Sequence, residues 1–300
     1  MTGPERTSYV AALVGAGVGP SLTPALHERE GARHGLAYVY KTVDLTALDI
    51  PAAQVGDLVA AARSFGFDGL NITHPCKQLV APHLDDLSPE ARALGAVNTV
   101  VFTDGRAVGH NTDVTGFARS FARGLPEART GQVVQVGAGG AGAAVGHALL
   151  TLGTDRLTLV DADPDRAAAL AELLGGIFGA GRVRIGDPTR LDTALRGADG
   201  VVNATPLGMA AHPGSAVPLH LLRGDLWLAD IVYRPVETDL VRAARATGGP
   251  VLTGAGMAVF QAVDAFELIT GRAPDPEAML ADFAALVRAE AETQPTEGGR

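Results

Sequence analysis

The chain contains a single cysteine, Cys76, so it cannot form an internal disulfide bond, and we predict a reducing, cytoplasmic location. Basic residues are scarce: 24 lysines and arginines stand against 33 acidic residues, and the net charge of -9 argues against a nucleic-acid partner. No apolar run is long enough to span a bilayer, so we expect no membrane partner. No spacing of cysteines and histidines suggests a metal site.

Hydrophobic residues make up 47% of the 300 positions, and this length predicts two domains with a buried core in each. Strand-like and helix-like segments alternate over the first hundred residues, and Asp104-Gly105 between two apolar runs predicts a hairpin. We therefore predict a mostly parallel α/β domain that ends in this hairpin. Its predicted strands are Tyr9–Val14, Tyr38–Val43, Asp68–Ile72, Val97–Phe102 and Ala107–Gly109, and its predicted helices are Pro24–Leu36 and Pro51–Phe65.

The stretch from Gln132 to Asp161 has the pattern of a dinucleotide-binding site. An apolar run, Val133–Val136, leads into the glycine-rich turn Gly137–Gly142, a helical segment follows, and a second apolar run ends on Asp161. This is the G-x-G-x-x-G fingerprint in its strand–turn–helix setting. The glycines let the backbone approach a pyrophosphate at the helix N-terminus, and the acid can accept hydrogen bonds from ribose hydroxyls.

The second half of the chain continues this pattern. Strands are predicted near residues 132–136, 157–161, 182–185, 199–203, 226–232 and 250–252, with helical segments between most of them, as in a doubly wound Rossmann-type fold. Helix Glu277–Glu290 has an apolar face, so we expect the C-terminal helices to return to the first domain. The predicted division is a substrate domain of residues 1–115 plus 256–290, an NAD-binding domain of residues 116–255, and a disordered tail of residues 291–300.

Polar clusters follow several predicted strands, where open α/β sheets bind ligands. The hydroxyls of Ser21 and Thr23 could bind a carboxylate or simply cap the helix that starts at Pro24. Lys77 is predicted to lie near the start of a helix, where a cation opposes the helix dipole and no structural reason for it is obvious. Asp113 could do no more than stabilise the first turn of its own helix, which runs from Thr112.

Two later clusters allow similar alternatives. Asn203–Met209 ends the fourth strand of the nucleotide domain and either contacts the nicotinamide half of a cofactor or forms a turn. Gln261 lies within an apolar helical stretch, and a buried glutamine needs partners, which a polyhydroxylated ligand would supply.

Together these motifs resemble the shikimate dehydrogenase family, and within it the NAD-preferring quinate/shikimate dehydrogenase branch. The resemblance runs from about Val10 to the last helix. The family patterns N-I/V-T-x-P-x-K, G-A-x-N-T, G-x-N-T-D, N-A-T-P-x-G-M and D-x-x-Y-x-P correspond to Asn71–Lys77, Gly95–Thr99, Gly109–Asp113, Asn203–Met209 and Asp230–Pro235. The terminal G-x-x-M…Q element is matched only in part, by Gly256 and Gln261.

The resemblance implies reversible, NAD-dependent oxidation of a ring hydroxyl of quinate or shikimate, a cyclic polyhydroxylated carboxylate, to the 3-dehydro ketone. Lys77 and Asp113 would flank this hydroxyl as the catalytic pair, since a base must take the proton when the hydride leaves. Which of the two finally carries the proton stays open. Substrate contacts are implied for Ser21, Thr23, Thr73, Asn98, Gln261 and Tyr233. Cofactor contacts are expected from Gly137, Ala138, Gly139, Gly140, Ala141, Asp161, Asn203, Thr205, Pro206 and Gly254.

Two departures from the family pattern bear on specificity. The first motif, usually G-x-P-I/V-x-basic-S-x-S-P, is here Gly15–Pro24, without the proline and the basic residue and with Thr23 for the second serine, which favours quinate or a related ring acid. NADP-using members usually carry Asn-Arg-Thr where this chain has Asp161-Ala162-Asp163, so we predict NAD, with NADP less favoured. Asp161 could also merely begin a turn, and Arg166 is the nearby cation that would favour NADP.

Two other functions are compatible with the sequence. An amino-substituted ring acid, as in an aminoshikimate-type dehydrogenase, is an alternative substrate. A cofactor-binding regulator without catalysis is the second alternative, and the presence of both Lys77 and Asp113 argues against it. The chain is compatible with a homodimer, but its sequence does not fix the oligomeric state.

Overall fold

The alternating segments of the sequence form two six-stranded sheets in the computed structural model of the protein, which describes residues 6–293. The strands, in chain order, are β1 (Ser8–Gly15), β2 (Ala37–Asp44), β3 (Gly69–Ile72), β4 (Asp86–Leu87), β5 (Thr99–Thr103), β6 (Arg106–His110), β7 (Gln132–Val136), β8 (Arg156–Val160), β9 (Val183–Ile185), β10 (Gly200–Asn203), β11 (Trp227–Asp230) and β12 (Val251–Leu252). The helices are α1 (Thr23–Arg33), α2 (Val55–Ser64), α3 (Pro89–Leu94), α4 (Thr112–Gly124), α5 (Gly140–Thr151), α6 (Pro164–Phe178), α7 (Leu191–Leu195), α8 (Asp239–Ala246), α9 (Gly254–Thr270) and α10 (Pro276–Thr293).

The chain divides into two compact units. The first unit contains the chain up to Ser88, Val97–His110 and the chain from Ala262 on, and the second contains Pro89–Ala96 and Asn111–Gln261. Helix α9 therefore begins in the second unit and ends in the first, and the C-terminal helices return to the first unit as predicted.

The first unit is built on a sheet with the strand order β2-β1-β3-β5-β6-β4. β1 lies parallel to β2 and β3, and β5 runs antiparallel to β3 and β6. The predicted hairpin is confirmed: Asp104 and Gly105 connect β5 to β6, both with positive φ, as a type I′ hairpin turn requires. Helix α10 packs on α1, where Asp282 pairs with Arg29 and Arg33.

The second unit is built on a parallel sheet with the order β12-β11-β10-β7-β8-β9. Successive residues of its strands face opposite sides: Val133 packs with residues of α4, α5 and α6, whereas Val134 packs with residues of α7 and α8. The strands are therefore buried on both faces, which is the doubly wound arrangement that the sequence predicts.

Four elements differ from the expectation. The helix predicted from Pro51 begins with a short 3-10 turn, and α2 proper starts at Val55. β4 and α3 were not predicted, because two and six residues are too short to show a periodic pattern. Helix α10 continues through Thr293, into the segment for which disorder is predicted, and residues 294–300 lie outside the described part of the chain.

No helix among residues 6–293 is both long enough and apolar enough to cross a membrane.

A histidine lies fully buried among aromatic rings in the first unit. His27 of α1 lies 4.8 Å from the Tyr40 ring and 6.1 Å from the Phe266 ring, measured between centroids, and its Nδ1 lies 3.2 Å from the Tyr38 hydroxyl. Its Nε2 has no hydrogen-bond partner among the described residues. Burial lowers the pKa of His27 from 6.5 to about 3, so the folded protein holds this ring neutral.

We expect His27 to make the protein sensitive to mild acid. The folded-state pKa lies below the unfolded value, so the unfolded chain binds more protons and stability falls as the pH drops below 6.5. The loss amounts to about 2 kcal/mol between pH 7.5 and pH 5. Unfolding free energies of His27→Phe should therefore vary less with pH over this range than those of the parent. The exposed His220→Gln is the matched control, and an unchanged pH slope in His27→Phe would contradict the assignment.

Candidate active site

The glycine-rich turn joins β7 to α5, whose N-cap, Gly139, makes no side-chain cap. Gly137 has a φ of 105°, and its amide donates to the carbonyl of Val160 at 2.8 Å. A Cβ on Gly142 would lie 2.3 Å from the carbonyl oxygen of Gly137, whereas a Cβ on Gly139 or Gly140 would meet nothing within 4 Å. The turn is therefore tight on its inner side and open on its outer side, which fits a pyrophosphate at the start of α5.

A crevice is expected where the strand order of the second sheet reverses. From β7 the chain runs to β8 and β9 on one side and then returns to β10 on the other. Here a Cβ on Gly137 would lie 2.6 Å from the carbonyl oxygen of Ala204, so the glycine-rich turn touches the loop that follows Asn203. In open α/β sheets this switch point is where ligands bind.

A buried amide that was not predicted as a site residue supports the glycine-rich turn. The Nε2 of Gln135 donates to the carbonyls of Gly137 and Gly142, each at 2.8 Å, and Gln135 is fully buried. Its Oε1 has no hydrogen-bond partner among the described residues. A glutamine in an otherwise apolar strand was the only sequence signal of this support.

Asp161 follows β8 and reaches back to the same turn. Its Oδ2 accepts from the Ala138 amide at 2.7 Å, and its Oδ1 accepts from the Asp163 amide at 2.9 Å. Asp161 therefore begins a turn, as the alternative interpretation has it, and is also fixed against the glycine-rich turn. Asp163 caps α6 by accepting from the amides of Asp165 and Arg166. The Arg166 guanidinium lies 3.5 Å from a carboxylate oxygen of each aspartate.

The loop after β10 is held by its own side chains. Asn203 Oδ1 accepts from the amide and hydroxyl of Thr205 at 3.0 and 2.7 Å, and the turn continues through Pro206. Gly254, the first residue of α9, lies against the neighbouring loop, because a Cβ there would be 2.4 Å from the carbonyl oxygen of Ile231. These residues lie at the carboxyl ends of β10 and β11, on the same side of the sheet as the glycine-rich turn.

Three further predicted site residues lie near one another in the second unit. Burial raises the pKa of Tyr233, Arg234 lowers it, and the charge of Asp113 raises it, so Asp113 is close enough to act on the phenol. Asp113 lies in the first turn of α4 and is buried. One turn further on, a Cβ on Gly116 would lie 2.8 Å from the backbone nitrogen of Gln261, so α9 approaches α4 closely at Gln261.

In the first unit, Ser21 lies in the loop between β1 and α1, and Thr23 is the first residue of α1. The Ser21 hydroxyl donates to the Thr23 hydroxyl at 3.1 Å and accepts from the Thr23 amide at 3.2 Å. The N-cap of α1 is Leu22, which forms no side-chain cap, but the Ser21 hydroxyl accepts from the amide of the first helical residue, so a role at the helix start and a role in binding are both compatible with these contacts. Asp44, the last residue of β2, accepts from the amides of Gly17 and Gly19 at 3.0 Å and so fixes the loop that leads to Ser21.

Thr73, Lys77 and Asn98 lie at the carboxyl end of β3. The Thr73 amide donates to Val14 of β1, and a Cβ on Gly15 would come within 2.3 Å of the Thr73 side chain. The Lys77 carbonyl accepts from Val97 and the Asn98 carbonyl accepts from Ile72, at 2.8 and 2.7 Å. Lys77 is half-buried in a run of turns, so the prediction that it lies near a helix start is wrong.

The predicted site residues thus fall into two sets. Ser21, Thr23, Thr73, Lys77 and Asn98 belong to the first unit, and the remaining predicted residues belong to the second. Within residues 6–293 no group of three or more histidine, cysteine, aspartate or glutamate side chains is arranged to hold a metal ion.

A doubly wound sheet with a glycine-rich turn at its switch point and a carboxylate after its second strand is the arrangement of a dinucleotide-binding domain. Three family models match the chain: the shikimate dehydrogenase substrate binding domain over residues 13–100, the saccharopine dehydrogenase NADP binding domain over residues 133–209, and the shikimate 5'-dehydrogenase C-terminal domain over residues 254–281.

Whole-length relatives agree with these matches. The chain is 64% identical to a shikimate dehydrogenase (NADP(+)) of Streptomyces avermitilis, over 94% of this chain and 97% of the relative. It is 50% identical to a quinate/shikimate dehydrogenase (NAD(+)) of Corynebacterium efficiens, over 94% of this chain and 100% of the relative. The structure of a quinate dehydrogenase from Corynebacterium glutamicum in complex with NAD superimposes with a TM-score of 0.89 at 47% identity, covering 93% of this chain and 100% of that one. The chain belongs to the shikimate dehydrogenase family, and it is an oxidoreductase that acts on a hydroxyl group with a nicotinamide cofactor.

Closing the glycine-rich turn should weaken nucleotide binding. The new methyl group of Gly142→Ala would meet the Gly137 carbonyl at 2.3 Å, so the turn must shift away from the start of α5. We expect the Kd for NADH and for NADPH, measured by fluorescence titration, to rise by at least about tenfold, which corresponds to about 1.4 kcal/mol. Gly176→Ala is the control, because it adds a methyl group to exposed space in α6. Unchanged binding by Gly142→Ala would mean that this turn does not hold the nucleotide.

Proposed function

We propose that the protein is an NAD-preferring quinate/shikimate dehydrogenase, which reversibly oxidises a ring secondary hydroxyl to a 3-dehydro ketone. The observation that carries the proposal is Asp161, a carboxylate only 8% exposed and bonded to the amide of Ala138 in the glycine-rich turn. A carboxylate at this position accepts hydrogen bonds from the ribose 2′- and 3′-hydroxyls of NAD. The polar side chains at the carboxyl ends of β1 and β3 supply the complementary groups for a hydroxylated ring acid.

The charges around Asp161 support NAD over NADP. Asp161 and Asp163 share one guanidinium, that of Arg166, so the three side chains keep one net negative charge. NADP would bring a further negative group to this place, and two like charges ~4 Å apart repel by about 4 kcal/mol at an effective dielectric near 20. Solvent screening reduces this figure, because the Arg166 side chain is 54% exposed. Some relatives are named for NAD(+) and others for NADP(+), so our choice of NAD rests on the charges around Asp161.

Each proposed residue has a role that its chemistry can perform. The bound nicotinamide supplies the hydride acceptor, and the Gly137–Ala141 turn, Asn203, Thr205, Pro206 and Gly254 would hold the nucleotide. Lys77 is proposed as the base that takes the hydroxyl proton, with Asp113 as the acid that tunes or relays it, since a proton must leave together with the hydride. Ser21 and Thr23 would bind the ring carboxylate, and Thr73, Asn98, Gln261 and Tyr233 the ring hydroxyls.

Initial rates with quinate, shikimate and a simple 2-hydroxy acid test this function directly. We expect NAD-dependent turnover with the two ring acids and none with the 2-hydroxy acid. Lys77→Ala should lose about 100- to 10,000-fold in kcat, the usual contribution of a general base, and keep its Kd for NADH. Lys41, the other lysine of the chain, lies exposed on β2 and makes Lys41→Ala the matched control. Near-normal kcat in Lys77→Ala would remove Lys77 from the mechanism, and turnover of neither ring acid would overturn the function.

Cofactor choice is tested by the ratio of kcat/KM for NAD to that for NADP. Asp161→Asn removes the charge that repels a 2′-phosphate, so we expect this ratio to fall by about tenfold or more. Asp165→Asn is the matched control: it removes an equal charge from an exposed position in the first turn of α6. A parent enzyme that prefers NADP, or an equal effect of both substitutions, would refute Asp161 as the discriminator.

A further inference from the structure

A buried carboxylate joins the two loops at the carboxyl ends of β10 and β11. Asp230, the last residue of β11, is 1% exposed and stands directly opposite Asn203 of β10 in the sheet register. Its Oδ1 accepts from Asn203 Nδ2 at 2.9 Å and from the Val232 amide at 3.0 Å, and its Oδ2 accepts from the Thr238 hydroxyl at 2.7 Å. All the contacts of this cluster lie within the second unit.

The carboxylate fixes the orientation of the Asn203 amide. An ionised carboxylate only accepts hydrogen bonds, so Asn203 must turn its NH2 group toward Asp230. Its oxygen then faces Thr205, where it accepts from the amide and the hydroxyl, and its NH2 group also donates to the Leu207 carbonyl at 3.1 Å. The side chain that holds the loop after β10 is therefore itself bonded to a residue on the next strand.

The same carboxylate orders the loop after β11. The Val232 amide bonded to it precedes Tyr233, and Thr238 uses its hydroxyl both to donate to Asp230 and to cap α8 by accepting from the Val241 amide. Thr238 also lies against the first loop, because a Cβ on Gly208 would be 3.1 Å from its methyl group. One acceptor-only group thus ties together two loops and one helix start.

We propose that Asp230 is a positioning residue for nucleotide binding, which sets the loop of Asn203 and Thr205 through the Asn203 amide and is itself held by Thr238. The inference rests on the proposed function, in which Asn203, Thr205 and Pro206 contact the cofactor. Asp230 does not touch the cofactor in this scheme; it acts by holding the Asn203 amide in place against the loop after β11 and the start of α8.

If Asp230 had a purely structural role, its substitution would lower thermal stability, and nucleotide binding would weaken only in step with that loss. Burial raises the pKa of Asp230 while the bonds from Thr238, Val232 and Asn203 lower it, so ionising this group works against stability and only the hydrogen bonds offset the cost. Asp230→Asn keeps the shape and removes the charge, and thermal stability should be kept. The amide at position 230 has one acceptor oxygen in place of two, so it cannot accept from Asn203, Val232 and Thr238 in the same arrangement. The tie between the two loops then loosens, and nucleotide binding should weaken.

The test is the Kd for NADH by fluorescence titration, with Tm measured on the same samples. We expect Asp230→Asn and Thr238→Val each to raise this Kd about fivefold, the effect of one lost hydrogen bond, and the double variant to be less than additive. Thr238→Ser keeps the hydroxyl and should bind NADH more tightly than Thr238→Val. Asp199→Asn is the matched control, since Asp199 precedes the amino end of β10 and accepts from the Gln132 amide.

Each outcome decides between the alternatives. Asp230→Asn with a Kd within twofold of the parent would overturn the positioning role while the proposed function stands. Weaker binding that Asp199→Asn reproduces, or that follows the loss of Tm across the set, would also overturn it. A parent protein that binds neither NADH nor NADPH would remove the proposed function, and the inference with it.

Discussion

The close approach of Gly137 to the carbonyl oxygen of Ala204 is the constraint on which the nucleotide unit depends. A Cβ would come within 2.6 Å of that oxygen, and φ at Gly137 is positive, so glycine is the residue that fits both conditions. Because the two backbones touch, the turn after β7 and the loop after β10 must be arranged together. The Gln135 amide beneath the turn then holds the carbonyls of Gly137 and Gly142 in place.

Carboxylates at strand ends organise the loops of both units. Asp44 closes β2, Asp161 follows β8 and Asp230 closes β11, and each accepts backbone amides from the loop beside it. The two environments shift the pKa in opposite directions. Desolvation raises the pKa of Asp44, but hydrogen bonds from the Gly19 and Gly17 amides outweigh it and lower this pKa. Burial raises the pKa of Asp230. An aspartate side chain therefore holds a loop in place both at a partly exposed position, Asp44, and at a fully buried one, Asp230.

The features that the sequence predicts are those whose signals are local. The strands of the second unit follow from apolar runs bounded by glycine and polar residues, and the hairpin follows from Asp104-Gly105 alone. Helix α3 was missed because six residues show no period, and Lys77 was wrongly placed near a helix that the chain replaces with turns.

The contacts of Asp44 and Asp230 could not be predicted, because their partners lie far along the chain or depend on strand register. Asp44 bonds to Gly17 across 27 positions, and Asp230 meets Asn203 across the same separation. An acid at the end of an apolar strand was visible in each case. Which donors it would gather depends on the folded loops and not on any pattern within a few residues.

The bonds from Asp44 to the Gly17 and Gly19 amides have a consequence for affinity. The Gly15–Pro20 segment contains three glycines, and glycine loses more backbone freedom on ordering than any other residue. Asp44 and the backbone bond from Ser21 to Val18 order this segment through contacts within the protein itself. The entropy of fixing it is therefore lost during folding rather than on ligand binding, so Ser21 and Thr23, which we propose as the carboxylate contacts, are held in place beforehand.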